Sequence, residues 1–508
     1  MRKRVTLFLK AVLWGMLAVP VCAGVDVSAA DSKSFSGTRA EKYSLEEISR
    51  LVLRNSLDVQ IALYEYAAGR TELPKERSLF DTYFALHAGY TDDQTKPASI
   101  ILGTRKLTNL YSASLEKTLP TGTTLSVEGQ HARDWTDSAF STTNPAHEGQ
   151  VAVSLVQPIG KNFFGILDRY GVRRAALAVE GARWLSLDEI EQVLAEAQEA
   201  YWTLALQEEE LKVREELLAD ARALQRTYEQ KQALGTAIPS EVFAHQANVK
   251  ARETEAIIAR LERETAKNQL LFLLNEDDFQ RRVSAQDELR VGPETVSLEE
   301  ELREAVSRRR DYQRARTALD SQNIYLAMKK NSLWPQIDLE ATYAKNGLSD
   351  RFGEAWEGVR DEHNSSVFFG VTIRFPLENT KAEAEYAEAE ALKQKHILFV
   401  KRVEREIFRE LHTLAAQVNA HAERVKLARR LVELQTEKLK AEQKRFRDGL
   451  SSSDRIIRYQ EDVLNARLEQ VRAWYAYRLS RIDLGRAKNA LLSRYWDART
   501  QRELYEDF

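Results

Sequence analysis

Two stretches decide how this chain reads: ALGTAIPSEVFAHQANV at 233–249 and RDGLSSSDRIIRYQEDV at 447–463. Laid over one another, Gly235 falls on Gly449, Val242 on Ile456, Gln246 on Gln460 and Val249 on Val463. Upstream of the first, residues 172–234 contain no proline, and leucines recur at sevenfold spacing (Leu204, Leu211, Leu218; Leu217, Leu224). Upstream of the second, 380–447 lack both proline and glycine, and Val425, Val432 and Leu439 repeat beside Leu427 and Leu434. Sevenfold apolar spacing is the seam of coiled-coil packing. About 63 residues at about 1.5 Å each predict a rod of roughly 95 Å. Each glycine stops a rod, and an amphipathic helix returns over about 240–274 and 454–490. The chain therefore holds a long helical hairpin twice.

The repetition extends outward from the hairpins. Ser44-Leu45-Glu46-Glu47 returns as Ser297-Leu298-Glu299-Glu300, and the same offset carries Leu86, Ala88 and Tyr90 onto Leu339, Ala341 and Tyr343. Both Ser-Leu-Glu-Glu sequences predict a capping box, in which serine and glutamate satisfy free amides at a helix start. Strands are predicted between these helices and the rods. Ile337, Leu339, Ala341 and Tyr343 alternate with polar neighbours, and so do Val367, Phe369, Val371, Ile373 and Phe375. In the first half, Phe84-Leu86-Ala88-Tyr90 and Val151-Val153-Leu155 alternate less cleanly. Pro158 and Pro376 lead from the strands into the long helices. The expected organisation is a first repeat over 43–275, a linker at 276–296, a second repeat over 297–490 and a C-terminal tail at 491–508.

Alternation with a period of two gives a sheet one apolar and one polar face. Strands of about nine residues suit a tilted transmembrane barrel, apolar toward lipid and polar toward the lumen. Trp135, Trp334 and Trp356 lie near the predicted strand ends, where an interfacial aromatic belt would sit. Four strands do not close a barrel, and an open edge in lipid leaves backbone amides unpaired at several kcal/mol each. Oligomerisation is therefore expected to complete the barrel. Residues 109–133 hold another hairpin-like pair around Thr121-Gly122. Either two further strands or a loop folded over the mouth is compatible with that segment.

Composition narrows the function classes. Lys plus Arg number 74 against 77 Asp plus Glu, a net charge of −3 that gives no basic excess for nucleic acid. Only 21 Gly and 10 Pro punctuate 508 residues, which agrees with long uninterrupted helices. Arg2, Lys3 and Arg4 precede an apolar run, Val5 to Val21, broken only by Lys10, so an export signal cleaved after Ala23 or Ala30 is expected. The single cysteine, Cys22, follows Val19-Pro20-Val21, a poor lipidation pattern, and is expected to leave with the signal. No phosphate-binding GxxxxGK[ST] loop and no HExxH occurs, and no two histidines form a helical i, i+4 pair. No enzyme activity and no cofactor, metal or nucleotide is expected.

The whole repeat order resembles the TolC-like outer-membrane efflux proteins, over about 43–490. VQPIGKNFFG at 156–165 is similar to the family's strand-to-helix segment, and Ala200-Tyr201-Trp202 to an element early in its long helix. The resemblance implies a mainly α fold: two tandem coiled-coil hairpins, plus strands that form an oligomeric β-barrel continuous with an α-helical periplasmic barrel. It also implies a homotrimer in the outer membrane of a Gram-negative bacterium, acting as the exit duct of a tripartite efflux or type I secretion system. Its partners would be a periplasmic adaptor protein and an inner-membrane transporter. Conduction would be passive and gated at the helix tips.

At the tips the family carries Asp-Val-Leu-Asp-Ala-Gln after the glycine. Here Glu241 to Gln246 and Arg455 to Gln460 stand in those places, with Asp454 just before the second. Arg455 and Arg458 thus replace acidic residues of the constriction. Glu241, Asp454, Arg455 and Arg458 are the gate candidates, either as mixed or positive charge on the axis or as ion pairs between helices. Gly235, Thr236, Arg447, Gly449 and Leu450 are the expected adaptor-docking tips, the glycines also serving as turn formers. The rival reading is a periplasmic coiled-coil adaptor or scaffold whose strands form a soluble sheet. One hairpin flanked by compact β-domains would be its pattern, whereas this chain has two in direct repeat.

Overall fold

The computed structural model of the chain describes residues 41–97, 101, 103–236, 238–360, 363–448 and 450–495. The predicted export signal with Cys22 and both cleavage positions, and Gly449 at the second tip, lie outside the described residues, as does the tail from 496 onward. Everything below concerns the compact unit that begins at Lys42.

The first repeat opens with helices α1 (Leu45–Asn55) and α2 (Leu57–Arg70) and then enters the sheet. From the sheet it runs into α3 (Ile166–Ala233, 68 residues) and returns by α4 (Pro239–Leu273, 35 residues). In the second repeat α5 (Leu298–Arg308) and α6 (Arg310–Asn331) precede two further strands. A short helix, α7 (Phe352–Gly358), joins those strands. The hairpin of α8 (Thr380–Arg447, 68 residues) and α9 (Ser453–Ala487, 35 residues) follows. Helix α3 starts six residues before the predicted position, because Gly165 takes a left-handed conformation (φ +71°) and releases the chain directly into the helix. At 1.5 Å per residue each 68-residue helix is roughly 100 Å long.

Helix α4 packs on α3, α3 on α9, and α9 on α8, while α6 lies against both long helices. Two apolar clusters hold this layer. One joins Ile48, Val52 and Leu53 of α1 to Ile190, Leu194, Tyr201 and Leu204 of α3 and to Leu270 and Leu271 of α4. The other joins Ile407, Leu411, Val418 and Val425 of α8 to Ala473 and Tyr477 of α9. Each fully buried side chain of this size contributes about 1.5–3 kcal/mol. The predicted heptads divide accordingly. Leu204, Leu218 and Val425 are buried within the hairpins, whereas Leu427, Leu431 and Leu434 form an exposed stripe on α8. Ile257, Ile258 and Leu261 form another on α4.

Of the two predicted capping boxes, only the first forms. Ser44 accepts from the Glu47 amide, and the Glu47 carboxylate accepts from the Ser44 amide at 2.8 Å. Ser297 makes no side-chain cap. There the entering chain is held by Asn419 of α8 instead, whose amide accepts from the Val296 N–H at 2.9 Å and donates to its carbonyl at 3.2 Å. A long-range clamp has taken over what a local cap would do.

The sheet has six strands in sequential antiparallel order. They are β1 (Thr82–Asp93), β2 (Lys106–Thr118), β3 (Thr124–Thr136), β4 (Ala146–Pro158), β5 (Gln336–Ser349) and β6 (Ser365–Arg374). The segment whose reading stayed open, 109–133, lies within β2 and β3. These two strands pair with each other from Lys106 opposite Thr136 to Thr118 opposite Thr124. They also pair with β1 and β4 on either side.

Candidate channel wall and helix tips

The register fixes which side chains share a face. Phe84, Leu115, Val127, Val153, Tyr343 and Val367 lie in one cross-strand row. The rows beside it carry Leu86, Leu125, Leu155 and Phe369, and Val371 and Ile373 follow along β6. These side chains are exposed, Leu86 at 73% and Phe369 at 80%. The opposite face is polar and internally bonded. Thr342 donates to Ser154 at 3.0 Å, Thr372 to Glu340 at 3.1 Å and Thr108 to Asp134 at 2.6 Å, and Lys106 pairs with Asp134 at 2.8 Å. An apolar face left exposed over most of its height and backed by a satisfied polar one is the pattern of a barrel wall between lipid and water. Strands of 10 to 14 residues are long enough to span a hydrocarbon layer at the tilt of about 40° usual in such barrels. No described helix is long and apolar enough to cross a membrane.

Aromatic side chains lie at both ends of the apolar face. Trp334 is exposed just before β5, at the helical end, and Trp135 stands near the far end of β3. Trp356 belongs to α7, which folds back onto the apolar face at its outer end. Its indole packs where a side chain at Gly149 would stand, and Phe352 lies edge-on to His131 with ring centres 4.6 Å apart.

Residues 159–165 join wall to rod. The amides of Ile159 and Lys161 donate to the carbonyls of Ile337 and Pro335, both at 2.8 Å, tying the junction to the second repeat. Asn162 takes a left-handed conformation, and its side-chain oxygen accepts from the Leu167 amide at 2.8 Å, starting α3. Gly165 lies against Gly122 in the turn between β2 and β3, so close that a Cβ on either would strike the other's backbone.

At the first tip α3 ends at Leu234, Gly235 turns with φ +76°, and the Thr236 amide and hydroxyl both donate to the Lys231 carbonyl. A left-handed residue here closes the helix end, and glycine adopts it without Cβ strain. Glu241 lies in the first turn of α4, where a carboxylate favours the helix N-terminus. One turn later His245 is buried, its ring 4.1 Å from that of Tyr228, and neither ring nitrogen has a partner among the described residues. Burial pushes its pKa down, against a small opposing pull from Glu241. The Lys231 ammonium lies over the rings of both Tyr228 and Phe446, joining the first tip to the second.

The second tip is polar. Leu450 donates its amide to the Arg445 carbonyl at 2.8 Å, and Arg447 is exposed in the last turn of α8. Glu442, almost wholly buried, accepts from the Ser451 hydroxyl at 2.5 Å and from Arg455 at 3.3 Å. Those bonds, Ser451 first, hold its carboxyl below the usual range. Arg458 pairs with Asp454 one turn away on its own helix at 2.5 Å. Of the two arginines, one therefore spans the hairpin and the other stays within its helix.

A set of buried charges further along the helical layer carries no motif in the sequence. Glu191 of α3 is inaccessible to solvent and accepts from Arg310 at 2.8 Å and from the amides of Leu491 and Leu492. Burial pushes its carboxyl up, opposed by the Arg310 charge. Arg309 reaches Asp311, Glu410 and the Ala487 carbonyl, and Arg472 of α9 reaches the buried Glu210 of α3 at 2.7 Å. The run Arg308-Arg309-Arg310 is the one signal for it in the sequence, since adjacent residues at a helix junction project in different directions and one of the three can reach inward.

Comparison with known proteins agrees with this geometry. Residues 302–490 match the outer membrane efflux protein family. No curated protein sequence matches the chain. Among solved structures, the fold is similar to that of the Campylobacter jejuni CmeC outer membrane channel, with a TM-score of 0.66 at 14% identity, covering 91% of this chain and 89% of that one. The Vibrio cholerae outer membrane protein VceC matches with a TM-score of 0.64 at 15% identity, over 87% and 95% of the two chains. The open state of the Neisseria gonorrhoeae MtrE outer membrane channel matches with 0.62 at 15%, over 88% and 89%. At such identities these likenesses establish the fold, and the family match rests on the second repeat. An exposed apolar strand face and two helical hairpins in direct repeat are thus shared with the fold of solved outer membrane channels, and the outer membrane efflux protein family is matched over the second repeat, residues 302–490.

Proposed function

We propose that the chain is the outer-membrane exit duct of a tripartite efflux system, a homotrimer that conducts passively and is closed at its periplasmic helix tips. The observation that carries this reading is the pair of uncovered apolar stripes on α4 and α8, Ile257-Ile258-Leu261 and Leu427-Leu431-Leu434. Helical seams of this kind are buried by another helix. A second copy of the chain supplies one for each, while the edges of the sheet are closed by the same neighbours. The tube wall and the barrel wall are then completed together.

The gate in this reading is the tip layer. Glu442, Ser451 and Arg455 clamp the second hairpin, Asp454 and Arg458 pair beside them, and Glu241 lies in the first turn of α4, one turn before the buried His245. Pairing within the chain leaves the closed end with mixed charge rather than a negative ring. Gly235, Thr236, Arg447, Gly449 and Leu450 form the docking ends for a periplasmic adaptor, which links the duct to an inner-membrane transporter. Leu234, Ile238 and Leu450 are exposed apolar side chains at those ends and suit such contacts. Protein export by a type I system would use the same duct, since cargo is chosen elsewhere.

Planar-bilayer recording tests the proposal. The purified protein is expected to show a small, stable conductance, and a variant with Arg455→Ala and Glu442→Ala a several-fold larger one. Absence of any channel activity in both proteins would overturn the duct reading. Equal conductance in both would remove these residues from the gate.

A further inference from the structure

We propose that the β2–β3 hairpin is part of the transmembrane wall, so that three copies close a barrel of eighteen strands, β6 of each pairing with β1 of the next. The proposal rests on the trimeric reading above and adds the strand number and the seam.

The hairpin spans the full height of the wall. Its turn lies at the helical end, where Gly122 meets Gly165, Arg169 of α3 donates to the Pro120 carbonyl at 2.9 Å, and Gln157 donates to the Thr121 carbonyl at 3.1 Å. A flap over the outer mouth would have its turn at the opposite end. Both strands also keep the two-faced pattern of their neighbours. Tyr111, Ala113 and Leu115 with Leu125 and Val127 continue the apolar face, and Ser112, Ser114 and Glu116 with Ser126, Glu128 and Gln130 continue the polar one. A strand exposed to water on both sides has no need of that alternation.

The seam follows from parity. Six antiparallel strands per chain make β1 run away from the helices and β6 toward them. Neighbouring copies placed side by side therefore meet as another antiparallel pair. The two edges are similar in length, 12 and 10 residues, and their outer faces are both apolar. Left open in lipid, each unpaired backbone group would cost several kcal/mol. At equal tilt and strand spacing, circumference scales with strand number, so the barrel is about half as wide again as one built from four strands per chain.

Single-cysteine variants in outer-membrane vesicles test the wall. Ser114 and Glu128 face each other across the hairpin on the polar side, and Leu115 and Val127 on the apolar side. A membrane-impermeant maleimide is expected to label Ser114→Cys and Glu128→Cys and to lose its reaction with Leu115→Cys and Val127→Cys until detergent is added. Equal labelling of all four would overturn the proposal, because the hairpin would then stand in water. The seam is tested by Leu86→Cys combined in turn with Val367→Cys, Phe369→Cys or Val371→Cys. At least one pair is expected to give, on oxidation, a covalent ladder ending at three chains. No ladder from a particle whose native mass is three chains would defeat the seam alone. A particle smaller than three chains would defeat the trimeric reading itself.

Discussion

In the first repeat a helix of 68 residues is followed by one of 35, and in the second the lengths are again 68 and 35. The same two repeats contribute unequally to the sheet, four strands from the first and two from the second. Even the ion pairs that bind the hairpin legs are matched. Glu215 with Arg260 and Arg424 with Glu469 are each 45 residues apart, with the charges exchanged. The difference shows where the architecture tolerates change. In the proposed duct the tips must arrive at one level to seal it, so a change in one helical leg displaces the closure. A hairpin added to an antiparallel sheet brings two strands, preserves direction at both edges and only widens the ring.

Breaking the helical equality should therefore have the largest effect. Removing one heptad from each leg of the first hairpin, 212–218 and 257–263, raises that tip by about 10 Å. The channel is expected to lose closure in bilayer recordings and to lose adaptor-dependent efflux. Shortening the second hairpin to match (421–427 and 466–472) should restore closure. A singly shortened channel that stays closed would mean that level tips are not what seals it.

Next in size is the buried charge that joins the repeats. Arg310→Ala leaves Glu191 buried without its cation, a change that typically costs about 3–5 kcal/mol. Thermal unfolding in detergent should show a clear fall for Arg310→Ala and a smaller one when Glu191→Leu is combined with it. Equal falls would indicate that the pair is not coupled.

The tips differ in kind, apolar and aromatic around His245 in the first, polar around Glu442 in the second. His245 is held neutral by burial, facing Tyr228 with Lys231, Glu229 and Glu241 nearby. A histidine whose folded pKa lies below its unfolded value of about 6.5 supports the fold above that pH, and the support is lost as pH falls below it. Hydrogen-exchange protection factors at 228–250, taken relative to the intrinsic rate at each pH, should fall between pH 7.5 and 5.5 in the parent and not in His245→Phe, which keeps the ring packing. The same fall in both would assign it elsewhere. The smallest effect is expected from Gly235→Ala, which forces a side chain into the left-handed region at about 1 kcal/mol. Open space surrounds the position, so only local exchange at the tip should change.

Much of this architecture is legible in the sequence. Sevenfold leucines, missing prolines and paired glycines marked the rods and their ends, because helical periodicity is a local property. Strand alternation was legible for the same reason at Ile337–Tyr343 and Val367–Ile373. The hairpin at 109–133 stayed open, since its membership in the wall depends on pairing with β1 and β4 and on Gly122 meeting Gly165. The Ser297 capping box was misread because Asn419, more than a hundred residues away, holds that turn. At the tips, the sequence alone puts Arg455 and Arg458 just after the second turn. Their partners, Glu442 across the turn and Asp454 on the same helix, follow from the three-dimensional path.

The proposed trimer completes one channel in the outer membrane from three copies of this chain. Its most direct test is the native mass of the detergent-extracted protein, measured together with the membrane fraction that yields it. A particle of three chains recovered from the outer membrane is the predicted result. A monomer or dimer in the periplasmic soluble fraction would contradict the account and leave the strands as the sheet of a scaffold protein.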